Sequence, residues 1–131
     1  MTKNIYKYAI ILGVLFSGIA ATARATTFIE GFEDVPLMDG MTQIQKDTIS
    51  FGNEESRFVE AYLTSTRVGF KAVEKFYLNT LPQLGWTYQG RRDNTLILYR
   101  ETEMLEIVQE IARPLEVRIT ATSKMQRLLW N

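Results

Sequence analysis

The chain has 131 residues, with 15 basic against 15 acidic side chains and neither cysteine nor histidine. That composition excludes disulfides, lipid attachment through a cysteine, the usual Cys/His zinc and copper sites, and every Ser-His, Cys-His or His-based proton-transfer device. The length suits one folded domain with a modest core.

Residues 1–25 read as a cleaved secretory signal. Lys3 and Lys7 form a positive start, and Tyr8 to Ala23 carry no charge, with Ile10, Ile11, Leu12, Val14, Leu15, Phe16 and Ile19 as the apolar body. The run closes on Ala23-Arg24-Ala25, the small-x-small pattern cut by leader peptidases, so cleavage is expected after Ala25. The alternative is an uncleaved anchor, for which the run falls short of the roughly 20 apolar residues a spanning helix needs. In that case the signal segment would be the sole membrane contact. Cleavage would leave Thr26 to Asn131 in the periplasm or outside the cell. It also takes Lys3, Lys7 and Arg24 from the balanced 15 against 15, for a net charge of −3. A chain of that balance lacks the basic stripe that a phosphate backbone requires, so nucleic acid is not an expected partner.

Residues 26–47 read as an extended N-terminal arm. Phe28, Ile29, Phe32, Val35, Leu37 and Met38 alternate irregularly with Glu30, Glu33, Asp34 and Asp39, Pro36 opposes a helix, and Asp39-Gly40 signals a turn. The acidic residues have no calcium-loop spacing and read as a solvated strap. A single domain is expected over residues 48–122. Thr48-Ile49-Ser50-Phe51 and Arg57 to Leu63 form two strands joined by the polar loop Gly52 to Ser56. On the second strand Val59, Ala61 and Leu63 share one face, and Phe58, Glu60 and Tyr62 the other.

One helix is expected after Thr64-Ser65-Thr66, a cluster of good N-caps. Phe70, Val73, Phe76, Tyr77 and Leu81 recur at helical spacing, and Pro82 and Gly85 mark the exit. Trp86 to Gln89 and Thr95 to Arg100 read as two further strands around a turn at Gly90 to Asn94. Glu101 to Ala112 fits a helical face and a strand alternation equally. The strand is preferred because Arg118, on the clear strand Leu115 to Thr122, would then face Glu106 or Glu110 across the sheet. Residues 123–131, with Met125, Leu128, Leu129 and Trp130, form a C-terminal tail. The sum is an α+β fold, an antiparallel sheet of about six strands in the order β-β-α-β-β-β-β with one helix packed on a face.

The run Val73-Glu74-Lys75-Phe76-Tyr77 into Leu81-Pro82-Gln83-Leu84-Gly85-Trp86 resembles a group of small exported alphaproteobacterial proteins with a domain of unknown function. Phe32 to Met38 and Arg100-Glu101 match the same pattern, which covers about residues 28–122. The resemblance implies that Glu103 to Ile111 is a strand, and it brings no activity. The helix-then-Gly-Trp unit is also similar in architecture to envelope proteins of helix-grip shape, among them a lipoprotein component of the outer-membrane assembly machinery.

The candidate interaction surface is aromatic. Phe58 and Tyr62 share one strand face and Trp86 and Tyr88 another. If both pairs turn away from the helix they make a platform for a protein, glycan or lipid, and if they lie beneath it they are core. Glu101, Glu103, Glu106 and Glu110 supply carboxylates, but Glu106 and Glu110 on one strand stand about 13 Å apart, too far for an acid/base pair. These residues support a non-enzymatic, envelope-associated interaction protein without cofactor or metal. A binder holding a small apolar ligand between sheet and helix is the alternative, and a carboxylate hydrolase a distant third.

Overall fold

The computed structural model describes residues 26–46, 50–52 and 57–123, with Ser50 and Phe51 as backbone only. The signal segment with its cleavage site at Ala25, the strand start Thr48-Ile49, most of the Gly52–Ser56 loop and the tail beyond Ser123 lie outside the described residues.

The strands are β1 (Thr42–Ile44), β2 (Ser50–Gly52), β3 (Arg57–Ser65), β4 (Thr87–Arg92), β5 (Thr95–Arg100), β6 (Glu103–Ile111) and β7 (Leu115–Ser123). Helix α1 (Phe70–Thr80) and a 3-10 turn (Leu81–Leu84) stand between β3 and β4. Six strands run as one antiparallel path, β1-β3-β7-β6-β5-β4, and β2 pairs with the other half of β3's free edge. The α+β class and the helix's place in the order are as expected, and the strands before the helix gain a short member, β1. Glu103–Ile111 is a strand, paired along its length with β5 and β7. Its residues are good helix formers, and hydrogen bonding on both sides overrides that preference.

Alternation decides which residues are sealed. On the helix side, Val59, Ala121, Leu105 and Leu98 stand in one cross-strand row, and Ala61, Ile119, Ile107 and Leu96 in the next. All eight are buried, and Phe70, Val73, Tyr77 and Leu81 close over them. The helix does not take its cap from the Thr64–Thr66 cluster. Gly69 is the N-cap, its carbonyl accepting from the Ala72 and Val73 amides, while the Ser65 hydroxyl accepts from the Arg67 and Val68 amides and fixes the preceding turn. At the exit Gly85 adopts φ 93°, the left-handed conformation that only glycine takes without strain.

The arm is more than a strap. Ile29, Phe32, Val35 and Met41 are buried in the same core as the helix and sheet. Its backbone folds on itself, the Ile29 amide donating to the Val35 carbonyl at 2.9 Å and the Leu37 amide to Thr27 at 2.7 Å. Gln43 of β1 ties it down, accepting from the Glu30 amide at 2.8 Å and donating to the Glu30 carbonyl at 3.1 Å. The buried Tyr77 hydroxyl donates to the Pro36 carbonyl at 2.8 Å, joining helix to arm. Burial pushes the Tyr77 phenol far above its ordinary 10.0, so it stays a neutral donor.

Candidate interaction surface

The side chains between the sealed ones form the opposite face of the sheet. The described helix and the arm both pack on the inner face. Three rows cross the outer one. The first is Phe58, Thr122, Met104, Tyr99 and Thr87. The second is Glu60, Thr120, Glu106, Ile97 and Gly90. The third is Ile44, Tyr62, Arg118, Val108, Thr95 and Arg92. Most of these residues are half-buried, as on a sheet face with neighbours beside it and no layer of described residues above.

The four aromatics split between the faces. Phe58 and Tyr62 belong to the outer rows. Trp86 is 3% exposed within the core, with the Arg100 guanidinium 4.3 Å from its ring centre. Tyr88 pairs with Leu98 and therefore lies on the helix side, 39% exposed at the β4 edge. A single platform of all four residues is not formed. β4 lies at the far edge of the sheet from β3, and its side-chain alternation places Trp86 and Tyr88 on the other side. Within the Phe76 to Trp86 run, Tyr77, Leu81 and Trp86 are sealed, Phe76 is half-buried and Leu84 is 38% exposed.

The outer face carries a charge network instead. Arg118 donates through Nε to Glu110 Oε1 at 2.6 Å and stands 3.7 Å from Glu60 Oε2. The Tyr62 hydroxyl donates to Glu60 Oε1 at 3.0 Å. Burial raises the Tyr62 pKa, and the bond to Glu60 raises it further. Burial opposes the charge on Arg118, but the hydrogen bond and charge of Glu110, with Glu60 behind them, win and raise its pKa. Lys46 pairs with Glu116 and sits 5.1 Å from the Tyr62 ring centre, closing the β1 side.

Of the two partners expected for Arg118, Glu106 or Glu110, it is Glu110 that pairs with it, and Glu60 joins them. The Glu60 link was readable in part, since Glu60 alternates with Phe58 and Tyr62, but its pairing with β7 depends on strand order. Glu106 has no hydrogen bond or ion pair among the described residues. The four glutamates considered for catalysis are dispersed. Glu103 lies on the inner face 3.7 Å from Arg57, Glu101 is in an exposed turn, Glu110 is held by Arg118, and Glu106 has no partner among the described residues. Among the described residues no group of three metal-ligating side chains converges.

The inner face is filled. Leu63, Val73, Tyr77, Leu81, Leu96, Leu98, Leu105 and Ile107 all have 0% exposure. Of three clefts lined by described residues, one lies beside Val68 and Pro114, one between Thr27, Met38 and Phe76, and one between Met41 and Arg67. None of them opens between helix and sheet. Comparison with protein-family models, curated proteins and solved structures found no match.

Proposed function

We propose that this protein is a non-enzymatic, exported, envelope-associated adaptor that holds a partner protein on the outer face of its sheet. The observation that carries the reading is the contrast between the faces. One is sealed by helix and arm, while the other presents half-buried Ile44, Tyr62, Ile97 and Val108 around an ordered charge network. Apolar groups rimmed by fixed charges are the composition that protein interfaces use. Export rests on the sequence of residues 1–25. The filled inner face weighs against an apolar ligand between sheet and helix, and the dispersed glutamates weigh against a carboxylate hydrolase.

The test is co-purification of the tagged full chain from gently solubilised envelopes, beside Val108→Asp, whose unfolding midpoint confirms that it folds. A partner present with the wild type and reduced several-fold with Val108→Asp is the expected result. No reproducible partner, or one indifferent to the substitution, overturns the reading. A recovered chain beginning at Thr26 supports cleavage after Ala25, and one beginning at Met1 replaces the exported adaptor with an anchored one.

A further inference from the structure

The middle row of the outer face is chemically incomplete. Glu60, Thr120 and Glu106 occupy directly opposed positions on β3, β7 and β6. Such positions put Cβ atoms about 4.5–5.5 Å apart, so the threonine side chain stands between two glutamate side chains in the row. Thr120 is 6% exposed, and its Oγ1 is buried without a hydrogen-bond partner among the described residues. A buried hydroxyl left unpaired costs about 1–3 kcal/mol.

The two carboxylates differ. Glu60 is engaged at both oxygens, by the Tyr62 hydroxyl and by Arg118. Glu106 is half-buried and unpaired among the described residues. Arg118, in the third row, already shares its charge between Glu110 and Glu60. The three carboxylates Glu60, Glu110 and Glu106 against this one cation leave two negative charges over, and Glu106 is the carboxylate without a partner among the described residues, in the same row as an unsatisfied hydroxyl. Ile97, opposite Glu106, and Val108, two residues along β6, give apolar ground beside it. Phe58, Met104 and Tyr99 in the neighbouring row already have interactions of their own and are not needed.

We infer that this row is an anchor point for a lysine side chain of the partner protein. The inference rests on the adaptor reading above and specifies its chemistry. The aliphatic stem of the lysine lies along Ile97 and Val108, and its ammonium group donates to the Glu106 carboxylate and the Thr120 hydroxyl. One free carboxylate beside one hydroxyl matches the point charge of an ammonium better than the planar fork of a guanidinium. It also offers too few oxygens for calcium, which takes six to eight.

The experiment is a titration of the isotope-labelled full chain, followed by NMR, with a short peptide of alternating valine and lysine and its fully Nε-acetylated counterpart. The expected result is saturable shifts at Thr120, Glu106, Ile97 and Val108. Affinity should fall at least about tenfold on lysine acetylation or in Glu106→Gln and stay unchanged in Glu101→Gln. Equal binding of both peptides, no saturable shift, or shifts centred elsewhere overturns the inference. So do the same shifts produced by calcium chloride alone, or free-state contacts from residues 124–130 to Thr120, which would give the row to a metal or to the chain itself. A partner that still co-purifies with Glu106→Gln and depends on Val108 removes the lysine anchor and leaves the adaptor reading standing. Absence of any partner removes the adaptor reading itself.

Discussion

Leu96 and Leu98 of β5 are sealed, while Ile97 and Tyr99 beside them in sequence stay half-exposed. The same alternation runs through most of β3 and β6, while in β7 the outer-face Glu116 and Thr120 are buried as well, so two faces of one sheet are written in one set of strands. The sealed centre of the inner face is aliphatic and covered by two separate pieces of chain, helix and arm. The outer face mixes aromatic, aliphatic, threonine and charged residues, and Tyr62, Glu60, Arg118 and Glu110 are tied to each other along and across strands. The difference teaches which face holds the molecule together. Free energy of folding scales with apolar area removed from water, and most of that area is on the inner side. The outer side is left with residues whose pairings are ordered yet individually weak, a composition suited to recognition.

Substitutions at the two faces should therefore differ sharply. The largest effect is expected at the arm's contribution to the inner face. Phe32→Ala should lower stability by about 3–5 kcal/mol in urea unfolding, because a buried ring is lost from a site that cannot fully collapse. A loss below about 1 kcal/mol would return the arm to the status of a solvated strap. Next, the adjacent pair on β5 should separate: Leu98→Ala should cost about 3 kcal/mol and Ile97→Ala about 1 kcal/mol or less. Equal losses would break the two-face account.

Tyr77→Phe should cost about 1–2 kcal/mol, since the Pro36 carbonyl loses its donor inside the core. It should also change the alkaline limb. The folded-state pKa of Tyr77 is raised, so its contribution is complete below the ordinary 10.0 and is lost as pH rises through the higher folded value. Thermal melts between about pH 9 and about pH 11 should fall less steeply in Tyr77→Phe than in the wild type. The smallest effect belongs to the outer network. Glu110→Gln should cost under about 1 kcal/mol and less still at high salt, as expected for a pair with about a third of each side chain exposed. A larger loss would mean that the outer face also carries the fold.

Much of the sheet was legible. Leu115 to Thr122 and Val59, Ala61 and Leu63 declare their faces through alternation, and Phe70, Val73 and Tyr77 declare the helix. The arm was not legible as core because Ile29, Phe32 and Val35 follow neither a strand nor a helix period, and their burial depends on partners far along the chain. β1 escaped notice for a related reason: three residues are held by a side chain reaching back to Glu30. At the candidate site, Phe58, Tyr62 and the Arg118–Glu110 pair could be read from alternation. Trp86 and Tyr88 could not be assigned a face without knowing that β4 pairs only with β5, at the far edge. Thr120 carried no sequence signal, since its isolation arises only where β3, β7 and β6 align.

The most direct test of the central claim is photo-crosslinking in cells that make the full chain with a benzophenone side chain at Val108 on the outer face or at Ala72 on the exposed side of the helix. The account predicts a discrete crosslinked partner from position 108 and none from position 72. A partner captured at 72 but not at 108, or equally at both, would contradict it.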